Sequence, residues 1–181
     1  MNGNLSVQHT FRRLLPFSST AILGCLTAVS LAFSIALPSV SAATGPFANL
    51  VGSWAGTGTL RPSNGAAERI RCKADYRPRG SSEHEVDLHL RCASDSYNFD
   101  LSGEFTADEH DQITGQWTER SRNIGGTAVG NAQGERLQFH IESSAFSADL
   151  VMLTHNRRQS VTIDSQGGGT IVKASISLSR S

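Results

Sequence analysis

The chain has 181 residues, 38% of them hydrophobic, with 16 Lys and Arg against 16 Asp and Glu. A balanced chain without a basic block has no electrostatic footprint for nucleic acid, so that partner class is set aside. Once a leader is removed, the length is that of one domain.

Residues 1–42 read as a secretory signal peptide. Arg12 and Arg13 give a basic start, residues 21–37 are apolar and uncharged, and Pro38 ends the run. Val40-Ser41-Ala42 then presents small residues at the two positions a signal peptidase reads, which places the cut after Ala42. The apolar run falls short of the roughly 20 residues needed to cross a bilayer, so no membrane segment is expected after cleavage. Cys25 lies inside this run and goes with it; Ile22 stands where a lipoprotein box has Leu. The mature chain, residues 43–181, carries 14 Lys and Arg against 16 Asp and Glu. It is expected to be a monomer in the periplasm or outside the cell.

Along the mature chain, apolar and polar residues alternate with period two, interrupted by Gly, Asn, Asp and Ser clusters; no segment keeps a helical period over three turns. The first strand is expected over 50–60, ending in the turn 61–65. A hairpin follows, with strands over 68–76 and 84–92. Ile70, Cys72, Ala74 and Tyr76 share one face of the first arm, and Val86, Leu88, Leu90 and Cys92 share one face of the second. Folding at Ser82 sets Cys72 opposite Cys92, Ala74 opposite Leu90 and Tyr76 opposite Leu88. Two cysteines in an exported chain predict one disulfide. The opposite faces carry Arg69, Arg71 and Lys73, and Glu85, Asp87, His89 and Arg91. Which face of this hairpin lines the interior is left open by the pattern.

Further strands are expected over 97–105 (Phe99, Leu101, Gly103, Phe105), 112–119 (Ile113, Gly115, Trp117), the glycine-rich 123–130, and 136–143 (Leu137, Phe139, Ile141). The last three are 146–154 (Phe146, Ala148, Leu150, Met152), 158–164 (Val161, Ile163) and, after the glycine turn 166–169, 170–178 (Val172, Ala174, Ile176, Leu178).

Sequential hairpins of this spacing form a meander, and a long meander removes its exposed edges by closing. The expected fold is all-β: an up-and-down antiparallel barrel of about 8–10 strands, with a two-sheet sandwich as the alternative. A transmembrane barrel would turn its apolar face outward; charged rows such as Arg69, Arg71 and Lys73 argue for a wall in water. Glycines beside Trp54 and Trp117 suit a small barrel, where large rings sit next to missing side chains.

Gly52-Ser53-Trp54, at the start of the meander, resembles the opening of the calycin superfamily. In lipocalins and avidins a Gly-x-Trp strand carries the Trp that plugs one end of the barrel. Arg180 falls where lipocalins place an Arg that stacks on that Trp. The Thr-Asp-Tyr motif and the final helix of lipocalins are missing. Segments 68–72, 90–96 and 115–119 also resemble a group of small exported bacterial proteins of unassigned function. That likeness implies export and an all-β domain and carries no activity or catalytic residue.

Little in the sequence points to catalysis. There is no Gly-x-Ser-x-Gly elbow and no free thiol after export. No metal and no cofactor are expected. His84 and His89 fall on opposite faces of one strand, and the acidic turn of Asp108, Glu109, His110 and Asp111 lacks the Gly and Glu spacing of a calcium loop. Glu119 shares the face of Trp117; it is read either as solvated at the rim or, if inside, as a polar anchor that needs a partner. The expectation is therefore a non-enzymatic barrel with a small, partly apolar ligand in its lumen, lined by Trp54, Tyr76, Leu88, Phe99, Trp117, Glu119 and Phe139. Leu90, Leu101 and Leu150 share the inward faces. The alternative is a protein-interaction module, such as a periplasmic protease inhibitor of avidin-like fold whose N-terminal residues 43–47 enter the target.

Overall fold

The computed structural model describes residues 44–81, 83–168 and 170–181. The leader with its cleavage point, Cys25, the hairpin fold at Ser82 and Gly169 of the glycine turn lie outside the described residues. Ten strands follow in chain order: β1 (Gly52–Pro62), β2 (Glu68–Pro78), β3 (Glu85–Ala93), β4 (Asn98–Ala107), β5 (Gln112–Glu119), β6 (Ile124–Gln133), β7 (Arg136–Ser143), β8 (Phe146–His155), β9 (Arg158–Gly167) and β10 (Ile171–Arg180). Each pairs antiparallel with the next, and β1 pairs with β10, so one sheet closes into a barrel rather than two sheets into a sandwich. Closure satisfies the edge strands that an open meander would expose. No helix among the described residues is long and apolar enough to cross a membrane.

The hairpin of β2 and β3 has the register expected from its alternation: Cys72 opposite Cys92, Ala74 opposite Leu90 and Tyr76 opposite Leu88. Cys72 and Cys92 are disulfide-bonded. Their face is the inner one. Ile70, Cys72, Ala74 and Tyr76 are buried, whereas Arg69, Arg71 and Lys73 are exposed on the outer wall. The charged row of β3 is also outside, where His89 Nε2 lies 2.7 Å from Asp100 Oδ1 and Arg79 donates to Glu104 at 2.7 Å.

Large and absent side chains alternate around the inner wall. Leu88, Gly103, Trp117 and Gly126 form one row across β3 to β6. One residue pair further along, the Phe105 ring lies over Gly115 and Gly103; a Cβ on Gly103 would come within 2.7 Å of it. Phe105 in turn packs against Phe139, with ring centroids 5.7 Å apart.

The two ends of the barrel differ. At one end each hairpin loop is tied to the following strand by a backbone hydrogen bond: Ala107 N–H to His84 O (2.8 Å), Ala132 N–H to Asp111 O (2.9 Å), Thr154 N–H to Glu135 O (3.0 Å) and Arg180 N–H to Arg157 O (3.0 Å). The segment before β1 seats on this end, where Phe47 N–H donates to Glu83 O at 3.3 Å and Phe47, Leu50 and Trp54 are all buried. β1 begins later than the alternation suggests because Gly52 has φ +128°, a conformation that ends the turns of residues 46–50 and that few other residues adopt. The other end is formed by the turns between β1 and β2, β3 and β4, β5 and β6, β7 and β8, and β9 and β10.

Candidate functional site

The barrel encloses a cavity of about 440 Å³. That falls in the range of roughly 300–1,000 Å³ typical of small-molecule pockets. Its wall is built from the inward rows of all ten strands and is overwhelmingly aliphatic and aromatic, as period two requires once one face of every strand points inward. Its floor is made by Phe47 and Leu50. At the opposite end the lining passes through Ala145, Gly168 and Thr170, which are exposed, so the cavity reaches solvent between the turns that precede β6, β8 and β10.

Tyr76, Leu88, Phe99, Trp117, Glu119 and Phe139 all line this cavity, together with Leu90, Leu101 and Leu150. Trp54 does not. It lies beneath the floor, with its indole N–H donating to Leu50 O at 2.7 Å and its other face covered by Arg180, whose guanidinium carbon is 4.8 Å from the ring centroid. Arg180 also donates to Asn49 O, which fixes the stack. Trp54 is a plug rather than a wall residue because β1 starts only two residues before it, at the very end of the barrel.

The disulfide is part of the wall, with Cys92 among the lining residues. Trp117 is held by its N–H to Thr127 O at 3.3 Å and by Phe146, whose ring centroid is 6.0 Å away. One polar group interrupts the deep apolar surface. Tyr76 Oη donates to Gln159 Oε1 (3.1 Å), and Gln159 Nε2 donates to Thr154 Oγ1 (3.1 Å). All three residues are buried. Burial pushes the Tyr76 phenol well above its ordinary pKa, against a smaller opposing effect of Gln159.

Glu119 is not solvated at the rim: it is only 4% exposed. The strand does end there, but the turn that follows wraps around the carboxylate. Oε1 accepts from the N–H groups of Asp100 (2.9 Å) and Ser121 (3.0 Å), and Oε2 accepts from the N–H of Arg122 (2.9 Å). Burial raises the carboxyl pKa, the donated hydrogen bonds lower it, and the net direction is down. Asn123, at φ 52°, closes the turn in the left-handed conformation that Asn tolerates. This curl brings Arg122 back over the mouth, although strict alternation would place it on the outer face. Its guanidinium carbon stands 4.7 Å from the Phe99 centroid, and Nη1 is 3.0 Å from Asn98 O and 3.4 Å from Glu119 Oε2.

The acidic turn before β5 is satisfied by itself: Asp108 Oδ1 accepts from the N–H groups of His110 and Gln112, both at 2.8 Å. Among the described residues no cluster of three or more His, Cys, Asp or Glu is placed to hold a metal ion. Sequence reasoning missed Gln159, Thr154 and Arg122. Gln159 was within reach of the pattern, since it continues the inward row of Val161 and Ile163, and Thr154 continues that of Leu150 and Met152. Arg122 carries no such signal because it sits in a turn.

No family model matches the chain, and no curated protein matches it. Solved structures do. The protein Rv2717c from M. tuberculosis superposes with a TM-score of 0.61 at 12% identity, over 74% of this chain and 94% of that one. The S-type phycobiliprotein lyase CPES from Guillardia theta superposes with a TM-score of 0.55 at 13% identity, over 75% of this chain and 90% of that one. The lyase overturns the expectation that this barrel is non-enzymatic: a protein of this architecture is named as a lyase, so the architecture does not separate carrier from catalyst. At these identities the likeness establishes the fold alone, a closed ten-stranded antiparallel barrel.

Proposed function

We propose that this protein is exported and takes a small, largely apolar molecule into its lumen, through Tyr76, Leu88, Phe99, Trp117 and Phe139. The cavity of about 440 Å³, walled by apolar side chains and open at one end, carries this reading. Apolar walls that meet only water or a void give up dispersion contacts, which a ligand of matching shape restores. The buried Tyr76–Gln159 pair adds one point of polar recognition at depth, since Gln159 has a second amide hydrogen beyond the one given to Thr154. Export is supported by the leader features of residues 1–42 and by a disulfide suited to an oxidising compartment.

The inhibitor reading loses its support in the segment it relied on. Gly45 and Phe47 are buried in the barrel's own end, and even a Cβ at Gly45 would collide with the backbone of Glu83. A segment packed in this way is not a free arm for a target.

The test is a titration of the processed protein with Nile red, paired with native mass spectrometry of material purified without denaturation. One dye per barrel is expected, with uptake abolished in Leu150→Trp, which fills the lumen. A barrel that takes up no dye and carries no bound mass would overturn the reading.

A further inference from the structure

The mouth carries a chemistry that the walls do not. Among the described lining residues Arg122 is the one cation, and it stands where the cavity meets solvent. Its side chain is 36% exposed. Only Nη1 is occupied, by Asn98 O and Glu119 Oε2; Nε and Nη2 make no hydrogen bond among the described residues. The guanidinium lies over the Phe99 ring, itself a wall residue, so its plane is fixed at the boundary between water and the apolar interior.

The neighbouring carboxylate offsets part of this charge but contacts the guanidinium through Nη1 alone. Glu119 is buried, and three backbone N–H groups already donate to it. Its contact with Arg122 is the longest in the set, at 3.4 Å. Glu119 therefore acts as a positioning residue: it fastens the turn that carries Arg122 and leaves the outer edge of the guanidinium free. That edge is a two-donor fork suited to a carboxylate or phosphate oxygen pair.

We propose that the ligand is an anionic amphiphile whose charged group pairs with the Nε–Nη2 edge of Arg122 at the mouth while its apolar body fills the lumen. This inference rests on the lumen-binding reading and sharpens it. The geometry suits such a molecule because the charge stays half in water, avoiding the cost of burying an ion, and the tail alone is desolvated. A neutral molecule of equal size would gain the lumen contacts and nothing from Arg122.

The test uses dodecanoate, dodecyl phosphate and dodecanol as competitors for Nile red on the processed protein and on Arg122→Gln and Arg122→Lys. Both anions should bind the parent protein about tenfold or more tighter than the alcohol, the scale of one charge-assisted hydrogen bond. Arg122→Gln should remove that advantage and leave dodecanol unchanged, while Arg122→Lys should keep part of it. Thermal unfolding of each variant confirms that the turn is retained. If dodecanol binds as well as the anions, or all three weaken equally in Arg122→Gln, the anion preference is overturned and lumen binding stands. If none of the three displaces the dye and the dye itself does not bind, both fall together.

Discussion

Arg180, near the end of the chain, lies across the face of Trp54, near the start of the first strand, with 4.8 Å between the guanidinium carbon and the ring centroid. The stack joins β10 to β1 at the seam where the barrel closes, and the Trp54 indole N–H is anchored by Leu50 O. The Gly-x-Trp opening and the distant Arg are thus one structural unit.

Trp54→Ala is expected to destabilise the fold by about 3–5 kcal/mol, the cost of emptying a buried aromatic site. Arg180→Ala should cost about 1 kcal/mol through loss of the cation–π contact. Because Trp54 lies outside the cavity wall, Arg180→Ala should leave Nile red affinity unchanged. Urea unfolding followed by Trp fluorescence, together with dye titration, separates the two effects.

The disulfide closes a loop with a sequence separation of 20. In the chain-entropy account such a link contributes about 3 kcal/mol by restricting the unfolded chain. The double substitution of Cys72 and Cys92 by Ser should lower stability by that order, and reductant should destabilise the parent protein but not the double variant. A variant indifferent to the loss would show that the β2–β3 pairing is held by its apolar row alone.

Acid should loosen the mouth through Glu119. Its carboxyl pKa is lower in the folded protein than in the unfolded chain. Its contribution is therefore complete above the unfolded value of about 4.3 and disappears as pH falls through the lower folded value. Glu119→Gln should cost about 1–3 kcal/mol near neutral pH, the scale of hydrogen bonds to a charged group. The difference between the parent and Glu119→Gln should shrink as pH is lowered towards 3. Urea midpoints measured across that pH range supply the check; a constant difference would mean that the carboxylate charge does no work there.

Gly115→Ala is expected to affect stability and ligand uptake together. The added Cβ meets the Phe105 ring on one side and Glu104 O at 2.7 Å on the other. Phe105 cannot move without disturbing Phe139, and both line the cavity. Overpacking of this kind costs about 1–3 kcal/mol. A parallel measurement of melting temperature and dye affinity should show both altered, and an unchanged dye affinity would contradict the linkage.

Period-two alternation was enough to read ten strands and the cysteine register, because each strand has one wet and one buried face and a slip of one residue would exchange them. The same rule put Tyr76 and Leu88 on one face of their hairpin, and Phe99, Trp117 and Phe139 on the apolar rows of their strands, but left open which face of the cysteine hairpin turns inward. It failed wherever the chain leaves the pleat. Arg122 and the wrapped Glu119 belong to a turn, where backbone curl rather than strand geometry sets direction. Trp54 obeys the alternation, but its depth along the barrel axis is set by Gly52 and the packed 46–50 segment. The cavity depends on the summed fit of ten inner rows, and no single row reports it.

The ring of loop-to-strand bonds places both the 44–50 segment and Ser181, whose N–H donates to Ser53 O at 2.9 Å, at the plugged end. Any chain or surface attached through either segment therefore hangs from the side opposite the opening. A barrel immobilised by its tail presents its mouth outward, so the cavity is reached from the face turned away from the attachment.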